Sequence, residues 1–75
     1  MKSEKELFNL AKDYVMLIDL YEKARLGDEE LKEEMENIRN TVLKKGYSVD
    51  KFVGYQNLYR EMSIAEYFEF IKTLD

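Results

Sequence analysis

The sequence predicts an all-α protein, a small bundle of three to four helices that begins with an antiparallel helical hairpin. Three observations support this prediction: the chain has no proline, apolar residues recur at steps of three and four, and Ser, Gly and Asp stand where helices would begin and end. A chain this short forms one domain, residues 1–75, and buries about 60% of its unfolded surface. We therefore expect a thin core.

The first helix is predicted over residues 3–26. Ser3 followed by Glu6 forms a capping box, in which each side chain bonds the backbone amide of the other residue. Apolar residues then repeat every three or four positions and indicate a broad buried face. The stripe consists of Leu7, Leu10, Tyr14, Leu17, Tyr21 and Ala24, and it is widened by Phe8, Ala11, Val15 and Ile18.

The second helix is predicted over residues 29–45, folded back on the first. Gly27 is expected to take the left-handed conformation that ends the first helix, and Asp28 is expected to cap the second. Acidic residues crowd the start of this helix, and Lys44 and Lys45 lie at its end, as the helix dipole favours. Gly46 is the predicted stop.

Two shorter helices complete the bundle. Ser48 is expected to cap a third helix over residues 49–62, but Gly54 is about 1 kcal/mol less favourable than alanine inside a helix. Whether residues 48–62 form one continuous helix therefore stays open. Ser63 and Glu66 form a second capping box, which begins a last helix that runs to the C-terminus.

Composition argues against several function classes. The chain has neither histidine nor cysteine, so serine–histidine and cysteine–histidine catalysis and thiolate metal sites are excluded, and we expect a non-enzymatic protein without a cofactor or metal. The longest apolar run, residues 14–18, is too short to span a bilayer, and residues 1–10 lack the apolar stretch of a signal peptide. A cytoplasmic location away from membranes is therefore expected.

Apolar residues outside the predicted stripes are the candidate contact sites. Met16 and Leu20 lie four apart on the polar side of the first helix, and Phe70 lies at the edge of the last stripe. Two interpretations stay open for Met16 and Leu20: ordinary exposure, or contact with a partner protein or a second copy. The second interpretation predicts a homodimer joined along the first helix.

An acidic row offers a second candidate contact. Glu29, Glu33 and Glu36 share one helical face, a spacing that suits a hard cation, but the sequence supplies no further ligands around them. The row is interpreted as a solvated face, with imitation of a row of phosphates as the sharper alternative. The sequence thus predicts a small regulator or inhibitor that binds another protein, whose identity it does not reveal.

The alternative function is DNA binding through residues 39–60. This segment holds five basic residues and one acidic residue, a net charge of +4, within a chain of net charge −4, so the remainder carries −8. Gly46 and the capped helix after it loosely resemble a helix-turn-helix motif, although Asp50 would repel phosphate. Nucleic acid is therefore the alternative partner, not the expected one. The contact residues in this alternative are Lys44, Lys45, Lys51, Asn57 and Arg60.

Overall fold

A computed structural model describes residues 2–74, so Met1 and Asp75, the two ends of the predicted domain, lie outside the described residues. Over this range the chain is built from helices, as predicted. They are α1 (Glu4–Glu22), α2 (Asp28–Lys44), α3 (Val49–Glu61) and α4 (Ile64–Thr73).

α1 and α2 form the predicted antiparallel hairpin. Glu6, near the start of α1, bonds Lys45, which lies just after the end of α2. Further along α1, the hydroxyl of Tyr14 accepts a hydrogen bond of 3.1 Å from Arg39. The two helices therefore run in opposite directions. α1 also packs along α3, so it is the helix around which the others are arranged.

The end of α1 differs from the prediction. The helix stops at Glu22, and the left-handed residue that follows is Ala24, with φ 57°, rather than Gly27. The amides of Ala24 and Arg25 donate to carbonyls in the last turn, which is a Schellman motif. Because α2 begins at Asp28, a first helix that reached residue 26 would leave only Gly27 to reverse the chain. Antiparallel helices are joined by about two to five residues.

Neither Gly27 nor Asp28 has its predicted role. Gly27 has an extended conformation and is itself the N-cap of α2, and Asp28 is the first residue of the helix. Tyr21, predicted in the buried stripe, is exposed. Its hydroxyl hydrogen-bonds Asp28 across the turn, and this bond raises the pKa of Tyr21. The residue therefore ties the two helices together at the surface instead of filling the core.

The other helix ends follow the sequence more closely. Gly46 is left-handed, with φ 75°, and ends α2 as predicted. Ser48 caps α3, which is continuous through Gly54 to Glu61. Ser63 caps α4 in a complete capping box, because Glu66 also bonds the amide of Ser63 at 3.0 Å.

The capping box predicted at the start of α1 is only half formed. The side chain of Ser3 accepts from the amide of Glu6 at 3.2 Å, but the amide of Ser3 donates to the hydroxyl of Tyr47 at 3.0 Å. Glu6 instead accepts hydrogen bonds from Lys45 and Tyr47. A tertiary contact to the α2–α3 turn thus replaces the local one.

The core is small and is divided between two clusters. The first lies where α1, α2 and α3 meet, and Leu10, Met35, Ile38 and Tyr55 pack against it; its buried members are Leu7, Ala11, Tyr14, Val42, Tyr47 and Phe52. The second surrounds the fully buried ring of Phe8. Its centroid lies within 6.2 Å of the ring centroids of Tyr55, Tyr59, Tyr67 and Phe70.

α4 is held mainly by this aromatic cluster. Tyr67 and Phe70 of α4 pack against Phe8 of α1, with centroid distances of 6.0 and 5.0 Å. The ammonium group of Lys12 lies 5.4 Å from the ring centroid of Tyr67 and 3.4 Å from its hydroxyl. No side chain of α4 is fully buried among the described residues, so one side of this helix remains available at the surface.

Candidate protein-binding surfaces

Of the eight large apolar side chains that are exposed in the described chain, six fall in two surfaces. The first, here the α2–α3 groove, is a depression of about 500 Å³ with Leu43, Val49 and Val53 on its walls. Leu43 is 64% exposed, and the two valines are about half exposed. The remaining lining residues are Tyr14, Arg39, Val42, Phe52 and Gln56.

This groove forms because α2 and α3 each carry apolar side chains beside the stripe that faces the core. Leu43 directly follows Val42, the last buried position of α2, and so lies beside the stripe rather than within it. Val49 and Val53 are four residues apart and share a side of α3, whereas Phe52 points into the core. The walls of the groove therefore remain apolar and uncovered.

The second surface, here the α1–α4 face, consists of Met16, Ile64 and Phe68. Met16 and Ile64 line one depression of about 360 Å³ between α1 and the start of α4. Phe68 lies one turn after Ile64, and its ring is 5.3 Å from that of Tyr67, which lines the same depression. Ile64 is 78% exposed and Phe68 is 56% exposed.

Met16 and Leu20, which the sequence groups on the first helix, differ in exposure. Met16 is exposed and belongs to the α1–α4 face. Leu20 is half-buried, and it does not line the depression that contains Met16. Leu20 is therefore less exposed than the sequence predicts, and its role in contact with a partner stays a prediction.

Phe70 is less exposed than the sequence predicts, although it lines a depression of about 530 Å³ that also contains Leu58. Its ring is half-buried and packs 5.0 Å from Phe8 and 6.4 Å from Tyr55, measured between centroids. The side chain thus fills the space between α4 and the rest of the bundle. Phe68, two residues earlier, is the exposed phenylalanine of α4.

The acidic row lies apart from both apolar surfaces. Glu29, Glu33 and Glu36 are exposed on α2, and none of them lines the α2–α3 groove or the depression beside Met16. Across residues 2–74, no three acidic side chains come together in an arrangement that could hold a metal ion. The predicted contact residues therefore do not form one site.

Two of the five predicted nucleic-acid contacts are engaged within the chain. Lys45 bonds Glu6, and Lys51 forms an ion pair of 2.8 Å with Glu4. Lys44 and Asn57 are exposed, whereas Arg60 lies in the lining of the depression beside Met16. Asp50 is exposed in the first turn of α3, where a recognition helix would meet phosphates.

Glu6, Lys45 and Tyr47 form a hydrogen-bonded polar group between α1 and the α2–α3 turn. The hydrogen bonds from Lys45 and then Tyr47 hold the pKa of Glu6 below its ordinary range. In return, Glu6 raises the pKa of Lys45. Burial, followed by the bond to Glu6, raises the pKa of Tyr47. The group fastens the start of α1 to the α2–α3 turn.

The chain matches no family model, and no curated protein or solved structure is significantly similar to it. Within residues 2–74, no helix has both the length and the apolar character needed to cross a membrane.

Proposed function

We propose that this chain is a small non-enzymatic protein that regulates or inhibits a larger protein by binding to it. The observation that carries the proposal is the α1–α4 face, where Met16, Ile64 and Phe68 leave apolar surface uncovered. Contiguous exposed apolar surface on a soluble protein is typical of a binding site. An exposed aromatic ring beside a depression also resembles the anchor residues that dominate protein interfaces.

The charge of the chain favours a partner with a basic surface. The net charge is −4, and α4 exposes Glu66 and Glu69 on either side of Phe68 in the sequence. Hydrogen bonds to Ser63 lower the pKa of Glu66, so this carboxylate stays ionised. Complementary charge accelerates association and disfavours wrong partners. We therefore expect the partner to present apolar side chains ringed by lysine or arginine.

Affinity capture from the cells that produce the chain tests the proposal when three versions are compared by quantitative mass spectrometry. The face variant combines Ile64→Asp with Phe68→Gln, and both changes fall at exposed positions of α4. The control combines Lys32→Gln with Glu34→Gln, two exposed positions of α2 outside the α1–α4 face, and leaves the net charge unchanged. A protein recovered by the wild type and the control, but depleted at least about tenfold by the face variant, is the expected result.

Two results count against the proposal. One is recovery of the same proteins in the same amounts by all three versions, and the other is recovery of nothing above an empty resin. If a partner is captured through the face, adding excess wild-type chain to it should change its activity, whereas the face variant should leave that activity unaltered.

Binding to random duplex DNA distinguishes the alternative function. Because Lys45 and Lys51 are paired with carboxylates of α1, we expect no steeply salt-dependent affinity from residues 39–60. Strong binding at low salt that disappears on combining Lys44→Glu with Lys45→Glu would support a DNA-binding protein instead.

A further inference from the structure

The α2–α3 groove has a buried floor and exposed walls. Val42 and Phe52 are 2% and 5% exposed at its base, whereas Leu43, Val49 and Val53 stand open above them. Arg39 carries the only formal charge in its lining, and most of the remaining surface is apolar. Apolar side chains of a partner can fill such a groove, and water is then excluded from it.

The overall dimensions indicate that the chain leaves more surface open than a compact monomer does. The solvent-accessible surface is 5383 Å², whereas a monomer of 9.0 kDa is expected to have about 4,900 Å². The radius of gyration is 12.7 Å against about 11 Å expected for this length. Two copies that each covered the excess of roughly 500 Å² would bury about 1,000 Å², the lower bound for a specific interface.

Charges of opposite sign lie on the two helices that border the groove, Arg39 in its lining and Asp50 outside the lining at the start of α3. Leu43 and Val49 lie beside the 45–48 turn, where the groove is closed, and Asp50 is exposed next to Val49. Arg39 lies one turn earlier on α2, towards the open end. A two-fold axis through the middle of the groove exchanges the two ends, so it brings Arg39 of each copy towards Asp50 of the other. The surface is therefore self-complementary in charge as well as apolar in its middle.

We propose that the chain forms a two-fold symmetric homodimer in which the α2–α3 groove of each copy covers the groove of the other. Leu43, Val49 and Val53 become buried in the contact, and Arg39 and Asp50 pair across its two ends. This places the dimer on α2 and α3 rather than along α1, where the sequence suggests it. The α1–α4 face stays outside the contact, so the dimer would offer two copies of that face to a partner.

Sedimentation equilibrium of the purified chain over a wide range of concentrations tests the proposal. The wild type is expected to approach twice 9.0 kDa at the higher concentrations. Combining Leu43→Gln with Val53→Gln removes apolar surface at two exposed positions and should weaken dimerisation about 100-fold. The matched control combines Met16→Gln with Ile64→Gln, two similarly exposed changes on the α1–α4 face, and should sediment like the wild type. Far-UV circular dichroism confirms that each variant is helical.

A charge exchange tests the symmetry of the contact. Asp50→Lys alone places like charges at both ends and should weaken the dimer, whereas Asp50→Lys combined with Arg39→Glu should restore it. The second change also removes the hydrogen bond to Tyr14, so thermal denaturation of each variant accompanies the measurement.

Several outcomes would overturn the proposal. A wild type that remains monomeric at every concentration leaves the groove without a second copy, even if affinity capture shows another protein bound there. A dimer that survives the groove variant, or that is lost in the Met16 and Ile64 control, is joined through another surface. Failure of the charge exchange to restore a folded dimer contradicts the two-fold pairing. Of these results, only loss of the dimer in the Met16 and Ile64 control bears on capture of a partner through the α1–α4 face, because it would place the second copy on that face.

Discussion

Ala24 holds a backbone conformation that is usually left to glycine. Its φ of 57° completes the Schellman motif at the end of α1, while its side chain is exposed. An L-residue in this region costs about 1–2 kcal/mol relative to right-handed geometry because its Cβ approaches the following carbonyl. Gly46, with φ 75°, occupies the corresponding position after α2 without that cost.

Glycine at the left-handed position of either turn is therefore expected to be more stabilising than alanine. Ala24→Gly should raise the free energy of unfolding by about 0.5–1 kcal/mol, since relief of the strain exceeds the added freedom of the unfolded chain. Gly46→Ala should lower it by a similar amount, because the added strain exceeds the reduced freedom of the unfolded chain. Urea denaturation measures both changes. A destabilised Ala24→Gly variant would show that Ala24 does not have the left-handed conformation in solution.

The group formed by Glu6, Lys45 and Tyr47 predicts how stability depends on pH. The pKa of Glu6 is lower in the folded than in the unfolded chain, so its contribution is present above its ordinary value of 4.5 and is lost as the pH falls through the folded value. The raised pKa values of Lys45 and Tyr47 have the opposite consequence. Their contributions are present below the ordinary values and disappear as the pH rises through the raised ones.

Glu6→Gln should therefore lower stability at neutral pH and flatten its decline on the acid side. Urea denaturation at a series of pH values from 7 downwards, through the ordinary value of 4.5, measures the change. Glu33→Gln, at an exposed position of α2, provides the control and should retain the acid decline of the wild type. Parallel curves for wild type and Glu6→Gln would mean that the bonds to Lys45 and Tyr47 do not persist in solution.

At the level of elements, the attachment of α4 depends on a few aromatic contacts. Phe8→Leu keeps most of the buried apolar volume but removes the ring pairs with Tyr67 and Phe70. We expect a loss of about 1–2 kcal/mol in the free energy of unfolding, with amide hydrogen exchange increasing most in α4.

Phe52→Leu provides the matched control for this change. It removes the ring pair with Tyr14, 5.3 Å away, from the cluster shared by α1, α2 and α3. A similar loss of stability without preferential exchange in α4 is expected. Equal acceleration of exchange in all four helices of both variants would contradict a separate attachment of α4.

The sequence predicts these elements well because their signals are local. Ser48, Ser63 and Gly46 act within a few residues of their own position, so the caps and the stop are found where the sequence indicates. Other contacts join residues that are far apart in the sequence. The ring of Phe8 packs against that of Phe70, and Glu6 accepts a hydrogen bond from Tyr47 instead of from the amide of Ser3. Such partners depend on how the helices pack, which periodicity does not specify.

The candidate surfaces are predicted only in part for the same reason. Met16 stands out because the helical periodicity places it on the polar side of the first helix, and it is exposed. Val49, Val53 and Ile64 fit the periodicity of a buried stripe, yet no neighbouring helix covers them in the described chain. The available signal is an apolar stripe that is wider than the neighbouring helices can cover. This signal can be recognised only when the number of helices packed against the stripe is known.

For the whole molecule, the proposed dimer links stability to concentration. Association of folded chains stabilises them by mass action, so the thermal midpoint of the wild type should rise with protein concentration. The combined Leu43→Gln and Val53→Gln variant should show a midpoint that is independent of concentration. Differential scanning fluorimetry over a hundredfold dilution measures both, and a constant midpoint for the wild type would argue against self-association.

The small number of buried side chains has a consequence for how this sequence can vary. Of the described residues, only seven apolar side chains are buried, and they lie on α1 and at the α2–α3 junction. Folding alone therefore restrains few positions, and most surface substitutions change stability by no more than about 0.5 kcal/mol. In a saturation mutagenesis experiment scored by activity in the cell, exposed positions that nevertheless reject polar residues would mark the contacts this protein makes with others.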